Sequence, residues 1–319
     1  MAKSVSAKFA KNANQKTIDF SIFQPKFDSI CRKLIHKIER EWSKNLGHLV
    51  MARGFFLVTL KAAHNTFETV CYLCADVRIK QADWRWRYIL VLPTLNRTIL
   101  DSVFNVMFML EDLPTRSQWF HESGWRDAKR ELDEQRKEYG SDPTWAAWLD
   151  KMEGALNTGI PLLNIPPNKV ANPQLIDWWP NPGKMPNYGL KQGLLPPNRQ
   201  FMKYLNDWFY RDMSSHSHLS FYAIMKTGFL VLADLYDADT REKIREGPFP
   251  WFRSQQVIRT VTLLLALMSE IEKQFDFGVA PELLGLWDDV IKVQPEAKEI
   301  YDRRYRDFWP NFLLSQGPI

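Results

Sequence analysis

Long apolar runs are missing from this sequence of 319 residues. The most apolar stretches, Gly54 to Leu60, Phe104 to Leu110 and Val261 to Met268, fall short of the roughly 18 to 20 residues that cross a bilayer. The basic, polar start MAKSVSAKFAKNANQK also lacks the apolar centre of a secretory signal. The expectation is a soluble, cytoplasmic protein with no membrane partner. Cysteine is scarce: Cys31, Cys71 and Cys74 are all there is. So small and odd a count gives no disulfide framework and fits a reducing compartment. Cys71 and Cys74 form a lone C-x-x-C with no second Cys or His pair after it, so no metal and no cofactor are expected. Strand-like alternation, a fixed repeat and the glycine-rich phosphate loops GxGxxG and GxxxxGK are missing too. The charge bias is slight, +5 from 42 basic and 37 acidic residues, which permits a nucleic-acid partner without demanding one.

Aromatic residues, by contrast, are plentiful at 13%, with 13 Trp, enough to fill a large core. Apolar residues recur every three or four positions along most of the chain. Phe27, Ile30, Leu34 and Ile38 lead on to Leu49, Phe56, Leu60, Phe67 and Val70, a helix or helix pair broken near Asn45 to Gly47. A second pattern runs from Trp84 to Glu111, where Pro93 marks a kink or the true helix start. A charged amphipathic helix follows over Thr115 to Tyr139, and a shorter one opens at Asp142 and reaches about Leu156. Nine of the 19 prolines then crowd into 159–197, which reads as a long irregular loop that Trp178 and Trp179 anchor to the body. Helical periodicity returns over Arg199 to Tyr210, Leu219 to Tyr236, Trp251 to Phe275, Pro281 to Val293 and Pro295 to Trp309. The fold class is therefore all-α, a multi-helix bundle with a long Pro-rich irregular loop. Residues 1–20 form a flexible basic arm and 21–319 a single helical domain, with a helical extension over 280–310.

The densest polar cluster in apolar surroundings is Tyr210-Arg211-Asp212-Met213-Ser214-Ser215-His216-Ser217-His218, read as a break between two helices. On a continuous helix Arg211, Ser214, Ser215 and His218 share one side and His216 points elsewhere. These residue types suit metal-free RNA cleavage. Histidine transfers protons near neutrality, and arginine grips phosphate oxygens with a permanently charged fork. Asp212, Ser214 or Ser215 would orient the imidazole.

RDMSSH and RDMSSHSH fit the R-x4-6-H signature, with a polar residue directly after the arginine, and in this the sequence resembles the HEPN superfamily. That resemblance implies an all-helical fold, with a core at about 85–275 here. It also implies metal-independent endoribonuclease activity on RNA, a toxin or antiviral-defence role, and a site composed across a homodimer or larger homo-oligomer. Arg211, His216 and His218 would be catalytic. A second, looser resemblance is to helical proteins related to this group that carry Arg-x-x-x-Glu on one helix and Tyr-x-x-x-Ser-x-x-x-His on a later one. Here Arg97 and Asp101 stand for the first, with Asp in place of Glu, and Tyr210, Ser214 and His218 for the second.

A rival expectation is a non-catalytic helical module that binds a partner protein or nucleic acid. His36, His48, His64 and His121 show no metal spacing; His64 and Glu68 stand four apart but lack the second histidine of a zinc-protease motif. The C-terminal YDRRYRDFW reads as a solvated, aromatic-rich surface able to touch RNA, or equally as a dimer or packing surface.

Overall fold

The computed structural model describes residues 23–46, 50–74, 91–190, 195–218, 220–221, 227, 235–246, 248–295 and 297–309. Within them the chain is helical and contains no strand, so the all-α bundle holds. The longer helices are α1 (Gln24–Leu46), α2 (Val50–Cys74), α3 (Leu92–Leu110), α4 (Leu113–Tyr139) and α5 (Pro143–Leu162). A short α6 (Pro167–Ala171) precedes α7 (Pro197–Leu205) and α8 (Arg211–Ser217), and α9 (Ala238–Glu246), α10 (Pro248–Phe275), α11 (Ala280–Val293) and α12 (Ala297–Arg304) complete the order.

Helix starts follow the local chemistry. Asp112 accepts from the Thr115 amide at 3.4 Å and Asp142 from the Thr144 amide at 2.8 Å, each just ahead of a first-turn proline. Pro93 likewise sits in the first turn of α3, so it starts that helix rather than kinking it. The expected stripe of Phe27, Ile30, Leu34 and Ile38 is buried, as are Phe56, Leu60, Phe67 and Val70 on α2. Leu49 and most of Leu219 to Tyr236 lie outside the described residues.

The middle of α10 has no solvent face: every residue from Thr260 to Glu272 is buried. A helix enclosed on all sides is a core helix, and α2, α3, α11 and α12 pack around it. One hydrophobic core joins these helices, and a small satellite cluster of Trp125, Ile165 and Ile176 lies under the start of the proline-rich segment.

Three sequence expectations change. First, α5 runs on to Leu162, past the expected end near Leu156, and takes Pro161 into its last turn. Second, Arg211 to His218 is not a break. The chain passes from α7 through a π-helical turn, Asn206–Tyr210, straight into α8, which ends with His218 as its cap. Third, the C-terminal segment is not mainly surface. Tyr301 and Tyr305, one helical turn apart, are fully buried. Arg304 makes a paired, buried salt bridge with Glu270 at 2.7 Å for both contacts, while Arg303 and Arg306 face outward and pair with Glu299 and Asp302.

From Leu163 to Leu190 the segment is irregular apart from α6 and short 3-10 turns, and it is tied down along α4. Gln118 donates to the Leu163 carbonyl (2.8 Å), Trp119 to that of Asp177 (2.9 Å) and Arg126 to that of Ile176. Trp179 is the anchor: its amide donates to Ser123 and its indole to Asn105, both at 2.8 Å. Its ring packs edge-on against Phe108, Trp119 and Phe120. Trp178 stays half-exposed with the Arg126 guanidinium 3.7 Å from its ring centre.

Candidate functional site

The polar cluster is built where α8 lies along α3. What fixes α3 there is Asn96, fully buried, whose amide donates to the Gln256 carbonyl and side chain of α10 at 3.0 Å each, while Thr260 donates to its oxygen. A buried amide with its bonding groups met in this way holds register as well as contact. The next residue, Arg97, about 100° further round the helix, therefore emerges at a fixed place on α3.

Arg97 gathers the looser motif around itself. One guanidinium nitrogen donates to Ser214 Oγ at 3.2 Å and to His218 Nε2 at 3.4 Å; the other donates to the Tyr210 hydroxyl at 2.9 Å. Tyr210, Ser214 and His218 are spaced by four, so one face of a helix presents all three. Arg97 Nε lies 3.7 Å from Asp101 Oδ2, one turn along α3. The other Asp101 oxygen is buried without a hydrogen-bond partner. Burial pushes the Asp101 carboxyl up to about 6, against the opposing pull of Arg97. Toward the interior, the Tyr210 ring meets Phe104 at 5.9 Å between centres. It also leaves no room beyond Gly183, where an added Cβ would sit 3.1 Å from the ring. The proline-rich segment thus packs closely against Tyr210, a contact that no sequence pattern announced.

Arg211 is placed differently. Its side chain is 74% exposed and turns back to Asp207, 3.4 Å away in the π-helical turn. His216 points inward, 6% exposed, and its Nδ1 donates to the Asp212 carbonyl at 2.8 Å while Nε2 is buried without a partner. Among the described residues no hydrogen bond joins Arg211 to either histidine. The Asp212 carboxylate is held by Arg259 of α10 at 2.8 Å, and Ser215 donates to the Asp212 carbonyl at 2.7 Å. The structure therefore brings together Arg97, Asp101, Tyr210, Ser214 and His218, and leaves Arg211, Asp212, Ser215 and His216 outside that group. Sequence reasoning missed Arg259, Asn96 and Gln256. Arg259 had a signal, since it is the one charged residue between Arg253 and Glu270.

The arrangement offers a fixed cation flanked by an imidazole with an accepting nitrogen and by a carboxyl that binds a proton near pH 6. It lies at the junction of α3 and α8, with His218 exposed to solvent. A π-helical turn directly ahead of α8 shifts the helical phase, a device that recurs at functional positions. On the other side of that turn, a cavity of about 220 Å³ is lined by Tyr204, Trp208, Phe209 and Arg259, among others. No family model matches the chain, and neither a curated protein nor a solved structure matches it.

Proposed function

We propose that this chain is a metal-independent endoribonuclease of the HEPN type in which Arg97, rather than Arg211, supplies the central positive charge. The observation that carries this reading is the convergence of Tyr210, Ser214 and His218 on the Arg97 guanidinium. In the reaction, a phosphodiester oxygen takes over the Arg97 N–H that His218 now accepts. His218 Nε2 removes the proton of the neighbouring 2′-hydroxyl, and the 2′-oxygen attacks phosphorus. The 5′-oxygen leaves with the proton of Asp101, whose raised affinity keeps a protonated fraction available near neutrality. The products are a 2′,3′-cyclic phosphate and a free 5′-hydroxyl. Tyr210 and Ser214 hold the guanidinium, and Arg211 on the exposed rim grips an adjacent phosphate, from the same protomer or from a second copy across a dimer axis.

Cleavage of single-stranded RNA in the presence of EDTA tests the proposal. Arg97→Lys and His218→Gln each lower the rate by about 100-fold or more, and Arg211→Ala by less than about tenfold. Wild-type protein that leaves RNA intact in EDTA, or variants at Arg97 and His218 that cut as wild type does, would refute it.

A second reading, a non-catalytic assembly module, is favoured by the exposed apolar side chains Trp145, Trp148, Met152 and Leu162 along α5. It predicts partner capture unaffected by Arg97→Lys.

A further inference from the structure

Away from α3 and α8, the α1–α2 pair assembles a second group of chemically competent side chains. His64 and Glu68, four apart on α2, present their side chains on one face, and α1 contributes Asp28 opposite them. His64 Nε2 lies 2.8 Å from Asp28 Oδ1 and 4.0 Å from Glu68 Oε1. The three ligand atoms all fall within 4.8 Å of one another, and among the described residues no other group of His, Cys, Asp and Glu does so. Two of these three residues were visible in the sequence as HNTFE; the missing ligand comes from the neighbouring helix rather than from a second histidine downstream.

We infer that Asp28, His64 and Glu68 form a binding site for a divalent transition-metal ion of the zinc class, one that clamps α1 to α2. Two ligand atoms on a tetrahedral zinc stand about 3.3 Å apart. The observed 2.8 and 4.0 Å straddle that value, so small side-chain rotations close the set. One imidazole and two carboxylates bring two negative charges against the two positive charges of the ion, and such N/O sets suit borderline divalent metals. The metal takes the position of the proton now shared between His64 Nε2 and Asp28 Oδ1, and that proton moves to Nδ1. His64 is nearly buried, with its ring stacked beside Phe67, which limits its freedom. Glu68 is 42% exposed and Asp28 24%, so the ion is reachable from solvent and completes its shell with water. Cys71 on the same helix stays outside the set, since its sulfur is not among the ligand atoms that fall within 4.8 Å of one another.

The test titrates the chelator-treated full chain with Zn²⁺ by calorimetry, and with Co²⁺ by absorption spectroscopy. The expected result is one ion per chain, with a thermal midpoint raised by roughly 5 °C at a hundredfold excess over Kd. Glu68→Gln, at a partly exposed position where the fold tolerates the change, weakens binding by about tenfold or more and keeps the metal-free melting temperature. His64→Gln abolishes binding. The Co²⁺ spectrum shows no thiolate charge-transfer band. No binding, binding unchanged in both variants, or binding lost in Cys71→Ser and Cys74→Ser instead would each overturn the site. Because neither Arg97 nor His218 is involved, RNA cleavage by Glu68→Gln at 25 °C separates this inference from the ribonuclease reading.

Discussion

At the scale of single residues, the consequential one is Asp101, which stands where the motif that the sequence resembles has glutamate. Its shorter side chain still reaches the Arg97 side chain but leaves one oxygen buried and unbonded. The cost of that burial is visible in its proton affinity, raised from 3.8 to about 6. A raised folded-state value means that the protonated form favours the fold. This contribution is fully present below about pH 4 and lost as pH rises through about 6. Asp101→Asn mimics the protonated form, so at pH 7.5 it melts a few degrees above wild type. The underlying gain is about 1 kcal/mol after discounting for a carboxyl one-third exposed. The advantage shrinks toward zero on acidification to pH 4. Equal differences at both pH values, by differential scanning calorimetry, would remove this account of the carboxyl.

At the scale of elements, the longer helices were legible because they carry apolar stripes, and Asp142-Pro143 marks where one of them starts. The helix Arg211–Ser217 was not legible, because its run of polar residues reads equally well as a loop or as a helix with one wet face. That one ambiguity decided which arginine meets the histidine. In sequence Arg211 is the neighbour of His216 and His218; in space Arg97, 121 residues from His218, is the one bonded to it. The burial of Tyr301 and Tyr305 was hidden for a similar reason, since their flanking arginines and aspartates dominate the local composition. Arg304 and Glu270 fasten α12 to α10 with side chains only 6% and 3% exposed. Removing one partner strands a buried charge, so Glu270→Ala loses about 3 to 5 kcal/mol in urea unfolding. Arg304→Met combined with Glu270→Leu stays much closer to wild type, and a double variant as unstable as the single one would contradict this assignment. For the proline-rich segment, Trp179→Ala removes the indole hydrogen bond to Asn105 and three ring contacts. Limited proteolysis within 163–190 accelerates by about tenfold while the α1–α4 core persists; an unchanged cleavage rate would show that the other contacts suffice.

For the whole molecule, one enclosed helix, α10, organises the rest. It holds Asn96 through Gln256 and Thr260, and Asp212 through Arg259, and so fixes both α3 and α8. No helix among the described residues is long and apolar enough to cross a membrane. The architecture brings a guanidinium, an imidazole and a proton-binding carboxyl to a single helix junction, and the ribonuclease proposal rests on those groups acting together on one phosphodiester. The most direct measurement compares an RNA oligonucleotide with the same strand carrying 2′-deoxyribose at the cleaved nucleotide, both in EDTA, with product ends identified by mass spectrometry. Only the ribose strand is expected to be cut, leaving a 2′,3′-cyclic phosphate, and Arg97→Lys slows that cut by about 100-fold or more. Cleavage of the deoxy-substituted strand, or products ending in a 3′-hydroxyl, would contradict the proposal.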